Sequence, residues 1–393
     1  MKKALFIIWL GINTTVCYGQ YDWDGIDVPA EANNANYNWE LVDELSDDFN
    51  YETPAGSNKG SEFDERWENG YINSWPGFGN TTWTPDNSKV TGGNLEVKAT
   101  VNPSGQNLNF FSAIHSKELL VYPVYVETRM KVMNSVMANA VWMLSDNSLE
   151  EIDIVEAYGS SDSESAQSSK NWFAERMHLS HHTFKRENGT TSDYQPTDAG
   201  SYYRLQPAGS KWRDNFHTVG VYWRDPFHLE YYIDGELVRT VSGPDIIDPN
   251  EHLGGNGLTQ REYIIVSGAA QGWQVNNGVW PTANELAVAE DNIFKVDWIR
   301  SYKRIDATSS VSKIKVSDKV SFTNPIQNQI TVKANANIDR IMFYHVNGRL
   351  AKSVNYLSQD QHIISLTDLD KGMYIMHVVD KDGFWGSEKL VKQ

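Results

Sequence analysis

Cysteine is all but missing from this chain. The one example among 393 residues is Cys17, and it falls in a segment with its own logic. Lys2 and Lys3 open that segment, an apolar run from Ala4 to Ile12 follows, and Cys17-Tyr18-Gly19 carries the small residues of a cleavage site. Read as a secretory signal cut near Gly19, residues 1–19 leave a mature chain without disulfide or thiol chemistry. A lipid anchor on Cys17 is disfavoured because Thr15-Val16 lacks the small residues of a lipoprotein signal. Long apolar runs are absent too, and nothing after the signal approaches the length of a membrane span, so a soluble secreted product, extracellular or at the cell surface, is expected. Positive charge is scarce: 34 Lys and Arg against 51 Asp and Glu leave −17 at pH 7. The deficit belongs to the front of the chain, because residues 312–393 hold 11 Lys or Arg against 8 Asp or Glu. An acidic surface repels polyanions, which argues against nucleic acid as a partner and mildly against heavily sulfated polymers, although acidity serves solubility in a salty habitat equally well.

Extended helical periodicity is also missing, and what fills the chain instead is β signal. Val124, Val126, Thr128, Met130 and Val132 alternate with Tyr125, Glu127, Arg129 and Lys131, the period-two pattern of a half-buried strand. Residues 219–241 predict three strands joined at Arg224-Asp225-Pro226 and at Asp234-Gly235, a tight-hairpin dipeptide. With 40% hydrophobic and 12% aromatic residues, short strands and turns predict an all-β jelly-roll sandwich over residues 20–304. A small polar run at 305–312 marks a linker, and residues 313–393, punctuated by Asn347-Gly348 and Asp382-Gly383 turns, predict a small second β-sandwich.

One stretch calls for a chemical reading. In LEEIDIVEAYG, residues 149–159, Glu151, Asp153 and Glu156 sit among Ile152, Ile154 and Val155, where burial penalises charge. Strict alternation would put residue 155 on the face of Glu151 and Asp153; a β-bulge within Ile154-Val155 puts Glu156 there instead. The two Glu backbones then stand about 13 Å apart, and their side chains can lean toward the roughly 5–5.5 Å of a retaining glycosidase. Crowded carboxylates cannot all ionise, so one pKa must rise and keep a proton for a departing glycosidic oxygen. An acidic edge or half of a cation site is the bland alternative, and the apolar residues between the acids argue against it.

EIDIVEAYG resembles the active-site strand of glycoside hydrolase family 16, in the bulged form of its β-agarases. NKGSEF at 58–63, VYPVY at 121–125, KVMNS at 131–135, HLSHH at 178–182, YQPTDAGS at 194–201 and the stretch from Gly220 to Gly243 resemble β-agarase sequence as well. The resemblance runs from Tyr21 to Arg304. It implies a concanavalin-like jelly roll with an open cleft and retaining endo-hydrolysis of β-1,4 bonds in agarose, with Glu151 as nucleophile, Asp153 as its hydrogen-bonding helper and Glu156 as acid and then base. Trp75 and Trp142 match sugar-platform positions, Trp273 matches more loosely, and Arg186 resembles a substrate-contacting arginine. His178, Ser180 and His182 would share a strand face; lacking a third ligand at recognisable spacing, the histidines read as polar cleft residues rather than metal ligands.

The chemistry as read needs no cofactor. The resemblance implies a structural calcium with ligands at Asp48, the Gly93 carbonyl and Asp297, and the protein is expected to act as a monomer. Near Ala269 the chain departs from agarase pattern by lacking an acidic residue, which keeps a porphyranase or another red-algal galactan hydrolase open as the alternative enzyme. A galactan-binding lectin is the alternative of another class.

NPI at 324–326, VNGRL at 346–350, LDKGMYIMHV at 369–378 and the ending EKLVKQ resemble the C-terminal sorting domain of the type IX secretion system, which implies that machinery as a partner. Deleting residues 313–393 is expected to leave a folded protein trapped in the periplasm of a type IX-competent host. Immunoblots of periplasm and medium check it, and normal appearance in the medium would defeat the sorting role.

Overall fold

The structure, a computed structural model, describes residues 21–30, 37–77, 80–103, 109–165, 170–306, 320–321, 323–332, 338–345, 350–355, 362–380 and 385–393. The expected signal and linker residues 307–312 lie outside them. The chain divides into two compact units, Met1–Asn33 with Trp39–Arg304, and Asn34–Asn38 with Ile305–Gln393.

Two large antiparallel sheets and a small three-stranded one of Thr81–Trp83, Asn109–Phe111 and Thr100–Val101 build the first unit. The inner one runs in the order Thr190–Tyr194, Ser180–Glu187, Glu150–Ala157, Ala138–Ser145, Glu262–Ala269, Ala113–Ser116 and Trp67–Asn69. Arg176–His178 and Tyr202–Arg204 extend it beside the end of Glu150–Ala157. The outer sheet runs Glu236–Ser242, His228–Ile233, His217–Asp225, Val124–Lys131, Ile293–Asp306, Asn94–Lys98 and Ser88–Thr91. Between them lies one apolar core that includes Val126, Met130, Val141, Ile152, Ile154, Val155, Val221, Ile264 and Val296. The expected hairpin forms at Asp234-Gly235, whose φ values of +48° and +83° are the left-handed geometry a two-residue turn needs.

Val124–Lys131 is more than half-buried. Its even-numbered residues face the core as the alternation predicts, but Tyr125 and Glu127 are buried too. Tyr125 packs with Val28, Ala30, Tyr222 and Tyr232 on the outer side of the sheet. Glu127 lies under Arg300, which is fully buried. The Arg300 Nε donates to Glu127 Oε2 at 2.7 Å, Tyr125 donates to Oε1 at 2.8 Å, and the guanidinium also caps the carbonyls of Ile26 and Asp27. The cover comes from chain far away in sequence, so a period-two reading cannot foresee it.

The second unit has a four-stranded antiparallel sheet, ordered Leu350–Asn355, Ile338–His345, Gly372–Asp380, Trp385–Lys392, and a three-stranded one of Val320–Ser321, Gln329–Val332 and His362–Ser365. Ile330, Ile341, Phe343, Met376, Val378 and Leu390 form its core.

Removing one member of a buried ion pair strands the other. Arg300→Met is therefore expected to lower unfolding free energy by about 3–5 kcal/mol, measured by denaturant titration. A loss under 1 kcal/mol would mean that Glu127 does not depend on this partner.

Candidate active site

Register explains how the acids meet. Where Glu150–Ala157 pairs with Ala138–Ser145, Val141 faces Val155 and Trp142 faces Asp153, so Ile154 has no opposite number. That is a β-bulge, inside the dipeptide where the acid spacing requires one. It shifts the phase by one residue. Glu151, Asp153 and Glu156 consequently line a cavity of about 650 Å³, while Ile152, Ile154 and Val155 are fully buried in the core.

Two groups of aromatic rings border the same cavity. Tyr71, Trp75, Trp83 and Trp142 form one, with ring centroids 5.2–5.9 Å apart. Trp142 Nε1 donates to Ser267 Oγ at 3.0 Å and Trp83 Nε1 to the Gly268 carbonyl at 2.9 Å, so each indole is tethered by its polar edge. The second group is Tyr158, Phe173 and Trp273. Trp75 and Trp273 remain 42% and 45% exposed, which leaves ring surface for an apolar sugar face instead of spending it on the core. Arg186 lines the cavity with its guanidinium donating to the carbonyls of Asn147 and Ser148 at 3.2 Å.

The histidines separate. His178, Ser180 and His182 do not lie on one strand, because Arg176–His178 ends before Ser180–Glu187 begins. His178 Nδ1 meets Glu156 Oε2 at 2.8 Å, and Tyr158 donates to Glu156 Oε1 at 2.7 Å. His182 sits opposite Glu151 in the neighbouring strand, with Nε2 at 3.5 Å from Asp153 Oδ2 and 3.8 Å from Glu151 Oε1 and Nδ1 at 2.8 Å from Asp193 Oδ1. Ser180 is buried and does not line the cavity. Tyr158, Asp193, Gln195 and Tyr202 also line the cavity and are not picked out by the sequence reading. For Tyr158 a signal existed, since it stands two residues after Glu156; for Asp193 there was none, because its partner is reached only across the sheet.

Protonation differs between the acids in an instructive way. Burial raises Glu151 well above the ordinary carboxylate range, against the pull of His182. Burial likewise lifts Asp153 to about 6. Glu156 feels the same burial, yet the hydrogen bonds from His178 and Tyr158 overcome it and bring its pKa below the usual value. The rise anticipated from crowding thus falls on Glu151 and Asp153, which share His182, and spares Glu156, which is hydrogen-bonded by both His178 and Tyr158. His182, which burial alone would lower, is pushed up to about 10 by Glu151, Asp193 and Asp153. Glu151, Asp153 and His182 offer atoms within 4.8 Å of one another, a grouping that could also hold a metal ion.

The residues of the calcium expectation lie away from the cavity. Asp47 exchanges both backbone hydrogen bonds with Ile299, which brings the segments of Asp48 and Asp297 side by side, and Gly93 packs close to Asn50. Asp297 also pairs with Arg129 through one carboxylate oxygen.

Comparison with known proteins agrees with this geometry. A family model described as "Beta-porphyranase A-D, GH16 domain" matches residues 39–304, and one described as "Secretion system C-terminal sorting domain" matches residues 321–393. The chain is 47% identical over 358 residues to β-agarase AgaA of Microbulbifer thermotolerans, covering 91% of this chain and 77% of that one. It is 47% identical over 305 residues to β-agarase B of Zobellia galactanivorans, covering 73% and 84%. The solved structure of that β-agarase B superposes with a TM-score of 0.67 over 72% of this chain and 100% of that one. β-porphyranase B of the same organism is more distant, 22% identical over 287 residues, 68% of this chain and 86% of that one.

Proposed function

Since the chain belongs to glycoside hydrolase family 16, we propose that it is a secreted retaining β-agarase that cleaves internal β-1,4 bonds of agarose. The observation that carries this reading is the bulged strand, which aims Glu151, Asp153 and Glu156 into a cavity bordered by tethered indoles. Identity near one half to two β-agarases, against 22% to a porphyranase, favours agarose over porphyran. Ala269 in the cavity wall favours the second reading, because a small neutral side chain leaves room for a substituted galactose. The C-terminal sorting domain directs export by the type IX system, and among the described residues no helix is long and apolar enough to cross a membrane. The catalytic unit acts as a monomer in this proposal, since one strand, Glu150–Ala157, carries all three acids.

In the proposed mechanism Glu151 attacks the anomeric carbon while Glu156 protonates the leaving oxygen. Water activated by Glu156 then releases the sugar from Glu151. Asp153, close to His182 beside Glu151, steadies the nucleophile between the two steps. Trp75, Trp142 and Trp273 stack on sugar rings, Arg186 supplies a polar contact beside them, and His178 and His182 line the cleft next to the acids.

Agarose digests are expected to yield even-numbered oligosaccharides with galactose at the reducing end, identified by mass spectrometry and NMR. Greater reducing-sugar release from porphyran would move the assignment to the second reading. Glu151→Gln is expected to abolish turnover of every substrate. Glu156→Gln should cost about 10²–10⁴ in rate on galactan and far less on an aryl glycoside, whose leaving group needs no proton. Azide should rescue Glu151→Gly with inversion and Glu156→Ala with retention; the opposite stereochemistry would exchange the two roles.

For the outer sheet we propose a structural calcium held by Asp48, the Gly93 carbonyl and Asp297, hard oxygen donors of the kind calcium prefers. Calcium would share Asp297 with Arg129. Calcium should raise Tm relative to chelator-treated protein, measured by calorimetry, and Asp48→Ala should remove the difference. Equal Tm in both conditions would count against the site.

A further inference from the structure

We infer that two histidines, distinguished by what holds their second ring nitrogen, partition the protons of this cleft: His182 keeps two and stands as a fixed cation beside Glu151, whereas His178 shares a single proton with Glu156. The inference rests on the roles proposed above for the two glutamates, and it assigns both histidines as positioning residues.

For His178 the decisive atom is a carbonyl. Its Nε2 lies 3.3 Å from the Pro196 oxygen, and a carbonyl only accepts, so Nε2 carries a hydrogen. In the neutral ring Nδ1 is then a lone pair, facing Glu156 Oε2 at 2.8 Å. Two bare acceptors at that distance would repel, so one proton lies on the line between them. Tyr158 occupies the other carboxylate oxygen, and the Tyr202 ring stacks on the imidazole at 4.2 Å and 8°, which stops the ring from turning out of this line.

For His182 the decisive atom belongs to a carboxylate. Nδ1 meets Asp193 at 2.8 Å, while Nε2 faces Asp153 and Glu151. Acceptors on both sides favour two N–H groups. The Gln195 amide nitrogen lies 3.0 Å from Nε2; two N–H groups on His182 therefore require the O and N assignment of this amide to be reversed, so that its oxygen accepts from Nε2. The ring stacks on Phe184. Neighbouring His181 is fully buried and pushed down to about 4, so it adds no competing charge.

Asp193, Gln195 and Pro196 are three positions of one short segment, and they set the state of both rings. This gives work to the start of YQPTDAGS, which the acid residues alone leave unexplained. In the first chemical step the C–O bond breaks, a bond from Glu151 to the anomeric carbon forms, and the proton of the Glu156–His178 pair passes to the departing oxygen. In the second, water adds to that carbon, its proton returns to the pair, and the bond to Glu151 breaks. The basic limb of the pH–rate profile accordingly belongs to the pair as a unit, not to Glu156 alone. The acidic limb belongs to Glu151 under the field of His182. Asp153, Tyr158 and Tyr202 also face the pair; Asp153, Asp193, Tyr71, Arg186 and Glu262 act on the Glu151 side. All of these remain in the variants below.

Two measurements test the inference on the full chain. In kcat/KM profiles on an agaro-oligosaccharide, His178→Gln should move the basic limb down by about one to two pH units and leave the acidic limb in place. His182→Gln should move the acidic limb up by a similar amount and leave the basic limb. In ¹⁵N NMR of histidine-labelled wild type, His178 should carry its hydrogen at Nε2, and His182 should show two protonated nitrogens through neutral pH. Lower rates with unmoved limbs, a neutral His182 at pH 7, or His178 protonated only at Nδ1 would overturn the inference. Limbs that move in exchange, with the NMR states as stated, would uphold the proton partition and overturn the assignment of nucleophile and acid.

Discussion

Everything chemical in this molecule depends on one extra residue in one strand. Without the bulge at Ile154, alternation would place Val155 in the cleft and turn Glu156 into the apolar core, where an unpaired carboxylate is prohibitively costly. With it, three acids share a face and three aliphatic side chains remain buried behind them. The two sheets are the frame for this displacement. The core holds the back of the strand, so the acids cannot retreat from the cavity, and the neighbouring strands bring the histidines to them.

Once the acids are held together, their repulsion must be managed, and the surroundings manage it unequally. Glu156 receives donors from Tyr158 and His178, whereas Glu151 and Asp153 depend on His182. Equal surroundings would make the two glutamates interchangeable. A retaining mechanism needs them different, one anionic toward carbon and the other carrying a proton toward oxygen. The surroundings alone favour the anion at Glu156 and the proton at Glu151 and Asp153, so Glu156 acts as the acid only through the proton it shares with His178. The difference originates outside the acid strand, in the segment that sets Asp193 and Pro196 against the two rings.

Much of this was legible in the residues, and the rest fails for identifiable reasons. Period two predicts the strands, Asp234-Gly235 predicts the hairpin, and the acid spacing predicts the bulge, because each is a local rule. Trp75, Trp142, Trp273, Arg186, His178 and His182 all border the cavity with the acids. The burial of Tyr125 and Glu127 was not legible, since their cover comes from Ala30, Tyr222 and Arg300, distant along the chain. Nor was the order of protonation: crowding alone predicts that one acid keeps a proton, and only hydrogen bonds drawn across strands decide which. The same limit applies to the single strand face expected for His178, Ser180 and His182, which the break before Ser180 divides between Glu156 and Glu151.

The central claim is that, of the three acids the bulge brings to one face, Glu151 alone attacks the anomeric carbon. Trapping the covalent intermediate with a 2-deoxy-2-fluoro galactan oligosaccharide bearing an activated leaving group, then mapping the labelled peptide by mass spectrometry, tests it most directly. The account predicts stoichiometric label on Glu151, with Glu156 and Asp153 unmodified. Label on Glu156 or Asp153 would contradict it.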